Sequence, residues 1–136
     1  MSASLWGYCK MQEISSQPLQ QQDDLEAAIG REVYRFQMEF MAGSFAECIH
    51  VLTAPAMIVV RSQSALPTAE QHLIRTEDGR ALVKQVYRTL FAQQSRILAS
   101  KVAALAGMAV TDVLTDFAVS TGEQVIVFLL ASRDGA

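Results

Sequence analysis

Apolar residues recur every three or four positions from Leu25 onward, which predicts an amphipathic helix near the start of the chain. One face of this helix carries Leu25, Ile29, Val33, Phe36 and Phe40. Asp23 can cap the first turn, and Gly43 is suited to ending the helix. The pattern therefore predicts a helix that begins at Asp23 and packs through one face.

The apolar pattern changes to short β-type runs in two later parts of the chain. Runs at 48–52 and 57–61 are separated by Pro55, which suits a turn and not a central strand. Runs at 110–119 and 124–131 flank the turn-forming residues 120–123. Both pairs of runs predict β-hairpins.

Two helices are predicted between the hairpins. Pro67 and Glu70 suit the first turn of a short helix, and a long helix is expected from Asp78 to Ala106, where Gly107 ends it. Four strands joined in this way most simply form one antiparallel sheet. The predicted fold class is α+β: a four-stranded antiparallel sheet from two hairpins, with the N-terminal helix, the short helix and the long central helix packed on one face.

The long helix carries an apolar stripe and a separate row of cations. The stripe consists of Leu82, Val83, Val86, Leu90 and Ile97, and the cations that fall away from it are Arg80, Lys84, Arg88 and Arg96. No acidic residue occurs between Gly79 and Thr111. The row therefore faces water, pairs with acids elsewhere such as Glu32 and Glu39, or binds an anionic partner.

The chain also has more apolar positions than one small domain needs to bury in its core. Beyond Ile97, the positions Leu98, Val102 and Leu105 rotate by roughly a quarter turn, so the far half of the helix is expected to face another neighbour, such as a second copy of the chain. The last strand, 125–130, is apolar on both faces. Either a homodimer interface or a central strand covered by this chain explains that strand, and the first is slightly favoured.

Length, charge and cysteine content limit the class of protein. The chain has 136 residues, of which 51% are hydrophobic; we expect one folded domain over 23–136 and a disordered, Gln- and Ser-rich arm over 1–22. The net charge of −3 disfavours nucleic-acid binding. No apolar run is long enough to span a bilayer, so membrane association is expected to be peripheral. Cys9 and Cys48 are not expected to pair, which fits a cytoplasmic location.

Residues that could carry catalysis are few. Cys48 and His50 project from one strand face, but two ligands fall short of a zinc set. Asp112 and Asp116 also share a strand face, yet roughly 13 Å separates them, too far for two carboxylates that flank one bond. The sequence shows no nucleophile motif and no phosphate-binding glycine cluster. We therefore expect no enzyme activity, no metal and no cofactor.

Several segments, taken in order, resemble the MpsC family of small bacterial proteins. They are Met57–Arg61, Leu66–Glu70, Glu77–Arg80, Thr115–Asp116 and Ser120–Phe128, and the resemblance covers about residues 24–131. It implies association with a Na+-translocating membrane potential-generating system linked to inorganic carbon uptake. It brings no catalytic residues. The matching polar positions are candidates for a shared surface or turn role: Arg61, Glu70, Arg80 and Asp116.

Two functions are the leading interpretations. The first is a cytoplasmic accessory or regulatory protein, expected to be a homodimer, that docks on a membrane complex or on another soluble partner. The alternative is a small-anion sensor that uses the cation row on the long helix. The sequence gives less support to an enzyme with a site between helices and sheet, or to a nucleic-acid module that lays the cationic helix along phosphates.

Overall fold

The secondary structure follows the predicted order of helices and hairpins. The structure is a computed structural model, and it describes residues 5–6, 17–41 and 46–131. Its elements are β1 (Leu5–Trp6), α1 (Gln17–Phe40), β2 (Ala46–Ala54), β3 (Met57–Ser64), α2 (Thr68–Leu73), α3 (Glu77–Ala106), β4 (Val110–Ala118) and β5 (Glu123–Leu130). Most of the predicted arm, residues 1–22, lies outside the described residues, as does the predicted helix stop at Gly43.

The strands form one antiparallel sheet in the order β1-β2-β3-β5-β4. The hairpins β2–β3 and β4–β5 meet through β3 and β5, so β5 lies inside the sheet and β4 at one edge. This confirms the predicted α+β fold with its four-stranded sheet from two hairpins. The two-residue strand β1 adds a short pairing at the opposite edge, which the sequence pattern did not predict.

The helix boundaries have local causes. Thr76 caps α3, because its Oγ1 accepts a hydrogen bond from Gly79 N at 3.0 Å. Gly107 ends the helix in the left-handed conformation with φ of 70°, as the sequence predicted. The first helix was placed too short by its apolar pattern: α1 begins at Gln17 and not at Asp23. The added residues 17–22 contain four glutamines and only Pro18 and Leu19 as apolar residues, too few to extend the apolar period.

Both long helices pack on the same face of the sheet. The buried strand positions alternate with exposed ones, as in a sheet with one covered face. These inward residues are Ile49 and Val51 of β2, Ile58 and Val60 of β3, and Ile126 and Phe128 of β5. Ile29 and Val33 of α1 complete this core, and the rings of Phe36 and Phe91 join the two helices edge to face at 5.6 Å.

The prediction of which face of α3 is buried is mostly wrong. The residues that this helix buries are Gly79, Val83, Tyr87, Phe91, Leu98 and Val102. Leu82, Val86 and Ile97 are instead exposed, at 54%, 43% and 42%. The prediction placed the buried face on aliphatic residues. The rings of Tyr87 and Phe91 instead fill the larger space against the sheet, so the buried face is centred on these two rings.

The far half of α3 also finds its neighbour within the chain. Leu98 and Val102 are fully buried, and Leu98 lines a narrow cleft with Phe36 of α1. The expectation that this half of the helix needs another molecule is therefore wrong for these two residues. Leu105, one turn further on, is 41% exposed.

A buried carboxylate ties α1 to the first hairpin. Glu26 is completely buried, and its Oε2 accepts hydrogen bonds from Thr53 N at 2.9 Å and Thr53 Oγ1 at 3.0 Å. Gln22 Nε2 donates to the same oxygen at 3.2 Å. A buried carboxylate needs such donors to offset its lost hydration, so this contact sets where α1 lies against β2.

Candidate docking surface

The face of the sheet away from the helices is apolar. Its members come from cross-strand rows that the register defines, since residues directly opposite in antiparallel strands share a face. One row runs Leu52, Val59, Val127 and Leu114, and the next contains Met57 and Leu129. Together with Val125 these residues are called here the open sheet face: Leu52, Met57, Val59, Leu114, Val125, Val127 and Leu129.

The open sheet face is accessible to solvent in the part of the chain that the structure describes. Leu114 and Leu52 are 50% and 48% exposed, and Met57 and Val125 follow at 42% and 39%. Val59, Val127 and Leu129 are half-buried by their strand neighbours. The sequence left open whether this chain covers the outer face of β5, and no described element does so.

The apolar part of this face is of moderate size. Four strands at about 4.8 Å spacing and three rows at about 6.8 Å span on the order of 400 Å². His50, Arg61, Asp112 and Asp116 occupy four of the twelve positions in these rows. The apolar area is therefore roughly 260 Å², near the lower end of the roughly 300–600 Å² that the largest apolar patch on a typical monomer covers.

Charged residues of both signs lie along one border of the open sheet face. Arg61 donates from Nε to Glu123 Oε2 at 3.1 Å, and its Nη2 bonds to the same oxygen. These hydrogen bonds from Arg61 hold the pKa of Glu123 below its ordinary value. His50 lies opposite Arg61 in the register, and partial burial followed by the Arg61 charge lowers its pKa. By the same register Asp112 lies opposite Leu129 and Asp116 opposite Val125, so two carboxylates also share this face at its β4 side. Only the middle row, from Leu52 to Leu114, carries no charge.

Two amides of the edge strand β4 are hydrogen-bonded to its own aspartates. Asp112 Oδ1 accepts from Val113 N at 2.8 Å, and Asp116 Oδ1 accepts from Phe117 N at 2.9 Å. Both bonds lie on β4, the edge strand. Edge amides bonded in this way are poor templates for an added strand, so association through the face is favoured over association through this edge.

Asp116 also forms ion pairs with two cations of the predicted row. Lys84 Nζ lies 3.2 Å from Asp116 Oδ1, and Arg88 Nη2 lies 3.8 Å from it. The hydrogen bond from Phe117 N, and then that from Lys84, hold the pKa of Asp116 below its ordinary value. The acid that pairs with these cations is thus on β4. The alternative acid proposed from the sequence, Glu32, instead contacts Arg35 and Lys101.

The remaining sequence candidates lie apart from one another. Arg80 Nη1 donates to the Ile74 carbonyl at 3.0 Å, and Tyr87 Oη donates to the Glu70 carboxylate. Arg96 is exposed further along α3. The structure therefore brings together Lys84, Arg88 and Asp116, but places Arg61, Glu70, Arg80 and Arg96 in other surroundings. Sequence reasoning missed Leu52, Met57 and Leu114, which only the strand register identifies as one surface.

The cysteine expectation needs correction. Cys48 is disulfide-bonded in the structure, so the prediction that it stays unpaired is wrong; the other cysteine, Cys9, lies outside the described residues. Cys48 Sγ lies 3.0 Å from His50 Nε2. Across the described ranges, no three His, Cys, Asp or Glu side chains gather in a group that could hold a metal ion.

The substitution Asp116→Asn is expected to lower stability at neutral pH and to matter less in acid. A carboxyl whose folded pKa is depressed stabilises the fold above its unfolded pKa, and this contribution is lost as the pH falls through the folded pKa. The unfolded reference is 3.8. Because the group is exposed, the effect is only about 0.5 kcal/mol. Urea unfolding at about pH 6 and about pH 3 measures it.

Asp112→Asn is the matched control for this prediction, because Asp112 makes the same bond to the next amide on the same strand. It separates the contribution of the hydrogen bond to the backbone amide from that of the ion pairs with Lys84 and Arg88. A difference between wild type and Asp116→Asn that stays constant from neutral to acid pH would contradict the assignment.

Fold and surface together define a small α+β protein with helices on one sheet face and an apolar face on the other. The chain belongs to the MpsC family, whose sequence model matches residues 21–132 and is described as Na+-translocating membrane potential-generating system (MpsC). No curated protein and no solved structure matches the chain. Within the described residues, no helix combines the length and apolar character that a membrane crossing requires.

Proposed function

We propose that the protein is an accessory or regulatory component that acts by association, and that two copies pair through the open sheet face. The family description names a Na+-translocating membrane potential-generating system, which we propose as the assembly it serves. A linked system for inorganic carbon uptake is part of this proposal only through the family resemblance. The observation that carries the proposal is the exposed apolar face of the sheet, with Leu114 and Leu52 about half accessible. Water contact at such a face is costly, and association removes it.

A second copy of the chain is the occupant that fits this face best. Two flat sheet faces pack at a spacing of about 10 Å with their strands within about 30° of each other. A two-fold contact presents the same patch from both sides, which suits a face with no charge in its middle row. The border carries both signs, Arg61 and Glu123 among them, so its charges can find opposite partners across a two-fold axis.

A lipid surface is a poorer occupant. Binding to anionic lipid needs a surplus of Lys and Arg around the apolar patch. The whole chain instead carries a net charge of −3, and Asp112 and Asp116 of β4 lie on the same side of the sheet as the open sheet face. The electrostatic term therefore opposes docking on an anionic membrane and leaves protein partners as the favoured class.

The alternative of a small-anion sensor receives less support. Of the four cations in the row on α3, Lys84 and Arg88 already share Asp116, and Arg80 is bonded to the Ile74 carbonyl. An anion would have to compete with these contacts. Its gain in binding free energy is correspondingly smaller.

The mass of the purified chain in solution tests the proposed pairing. Light scattering across a concentration series is expected to give about twice the monomer mass of 14.9 kDa. Native pull-down from membrane-containing lysate then tests the proposed assembly, with recovery of subunits of an ion-translocating complex as the expected result. A monomer at all concentrations would overturn the pairing, and recovery of the dimer alone would overturn the assembly.

A further inference from the structure

Four cross-strand rows lie on the side of the sheet that carries the open sheet face, and their chemistry changes along the strands. Each row takes one residue from β2, β3, β5 and β4 in turn, and it is named here by its residue on β2: Cys48, His50, Leu52 or Ala54. Glu123 lies in the Cys48 row, and Arg61 and Asp116 lie in the His50 row. The Leu52 row is apolar, and the Ala54 row is apolar except for Asp112. This side of the sheet therefore has a polar half and an apolar half.

Arg61 and Glu123 form an ion pair in the middle of the polar half. They lie on the two inner strands, β3 and β5, and Arg61 Nε donates to Glu123 Oε2 at 3.1 Å. Their side chains are still 59% and 26% exposed. A guanidinium has more N–H donors, and a carboxylate more lone pairs, than one such pair uses. Both groups can therefore bind a further group of opposite charge.

Two stacked copies of the sheet can be related in two ways. A two-fold axis between stacked sheets lies in the plane of the contact and runs either along the strands or across them. An axis along the strands keeps every row opposite itself and places β2 over β4, and β3 over β5, of the second copy. An axis across the strands keeps every strand opposite itself and places the His50 row over the Leu52 row. The two arrangements therefore bring different residues into contact.

The charges of the polar half favour the axis along the strands. With the axis across them, Arg61 would face Val59 of the second copy, and Asp116 would face Leu114. An ion that an apolar group covers loses its hydration without gaining a partner. With the axis along the strands, Arg61 instead lies beside Glu123 of the second copy, and the symmetry repeats this contact. Opposite charges therefore meet at the axis.

Contact area argues against a smaller arrangement, in which an axis across the strands joins only the two apolar rows. Two rows of four strands cover roughly 260 Å² on each copy, and four rows cover roughly 500 Å². The smaller contact would bury about 520 Å² in total, which is the size of a lattice contact, whereas the larger one reaches the roughly 1,000 Å² of a specific interface. Asp112 lies at a corner of the larger contact, on the edge strand, and stays exposed to water there.

We infer that two copies pair with their two-fold axis along the strands, so that β2 of one copy faces β4 of the other and the two Arg61–Glu123 pairs join in one charge cluster at the axis. This inference rests on the pairing through the open sheet face proposed above, and it adds the orientation of the pair. The apolar rows hold the copies together, while Arg61 and Glu123 select how they meet.

Exchange of the two charges tests the cluster. The double variant Arg61→Glu, Glu123→Arg keeps opposite charges together within the chain and within its own dimer. In a mixed dimer with wild type, however, Arg61 lies beside the introduced arginine, and Glu123 beside the introduced glutamate. Native mass spectrometry of an equal mixture with nitrogen-15-labelled wild type, refolded together, is expected to show mixed dimers at least about threefold below their statistical share.

A second charge exchange is the matched control for this measurement. Glu32 and Arg35 also form an exposed ion pair, with Arg35 Nη1 3.0 Å from Glu32 Oε2, but they lie on α1 at the other side of the sheet. The double variant Glu32→Arg, Arg35→Glu is therefore expected to mix with wild type in the statistical proportion.

Cysteine cross-linking tests the orientation independently of these charges. Leu52 and Leu114 are the two ends of one row, three strand spacings or roughly 14 Å apart within a chain, but they face each other between copies. A short bismaleimide is expected to link co-expressed Leu52→Cys and Leu114→Cys chains and to leave each variant unlinked when it is alone. Leu52→Cys with Val86→Cys, on α3, is the control that stays unlinked, and wild type gives the background of the native cysteines.

The outcomes separate this inference from the proposed pairing. A monomer at all concentrations overturns both. Statistical mixing of wild type with the Arg61→Glu, Glu123→Arg variant, or cross-linking of Leu52→Cys chains to each other, overturns the orientation and leaves the pairing in place. If the exchanged variant fails to fold, the link between Leu52→Cys and Leu114→Cys decides alone, and its absence overturns the orientation.

Discussion

If two copies pair through the open sheet face as proposed, Leu114→Glu is expected to leave the protein monomeric at micromolar concentrations. Leu114 is half exposed on the edge strand β4, so the folded monomer tolerates a charge there. In a two-fold dimer the same substitution buries two carboxylates in an apolar contact, where each loses its hydration without a partner. The dissociation constant should rise at least about 100-fold, which corresponds to about 2.7 kcal/mol. Light scattering and sedimentation measure this change.

Val86→Glu is the matched control for the open sheet face. Val86 is an aliphatic residue of similar exposure, 43%, but it lies on the outer side of α3. If two copies pair through the sheet, Val86→Glu stays dimeric. The reverse result, in which Val86→Glu dissociates and Leu114→Glu does not, would move the interface to the helix and reject the proposal.

Gly79→Ala is expected to destabilise the fold by about 3 kcal/mol, although alanine normally favours a helix. A Cβ atom at this position would lie 1.7 Å from the Leu73 carbonyl oxygen and 2.9 Å from Thr76 Oγ1. The clash is with backbone at the end of α2, so the two helices must separate. The cap bond from Gly79 N to Thr76 is then lost as well.

Comparison with Gly107→Ala separates the effect of a steric clash on stability from the effect of backbone conformation. At Gly107 a Cβ atom would meet nothing within 4 Å, but φ is 70°. The cost there is only the left-handed conformation, about 1 kcal/mol. Urea unfolding should therefore give a much lower free energy of unfolding for Gly79→Ala than for Gly107→Ala. Equal free energies of unfolding would show that α2 and α3 can move apart at little cost.

Much of the fold follows from local patterns. Pro55 and Gly122 lie in the two hairpin turns, and Thr76 and Gly107 bound the long helix, because turns and caps depend on nearby residues. The side of α3 that faces the core depends on which side chains fill the space above the sheet. Aliphatic periodicity favoured Leu82 and Val86, and the rings of Tyr87 and Phe91 took that place instead.

The candidate surfaces were only partly predictable for a related reason. The apolar run 125–130 indicated that the outer face of the last strand needs a cover, but left open whether this chain or a second copy supplies it. The register partners Val59 and Leu114 extend that face across the sheet. The buried hydrogen bond between Gln37 and Gln124 could not be foreseen. These residues are 87 positions apart, and neither carries a local signal of burial. Only packing of α1 across the sheet brings them together.

The bonded amides on β4 bear on how far assembly can proceed. Val113 N and Phe117 N are engaged by the preceding aspartates, and at the opposite edge β1 pairs with Ile49 and His50 while Glu26 accepts from Thr53 N. Among the described residues these contacts interrupt the runs of free amides from which a fibre could grow. If two copies stack through their open sheet faces as proposed, that contact covers the apolar rows of both sheets and leaves a third copy less apolar sheet surface to add to.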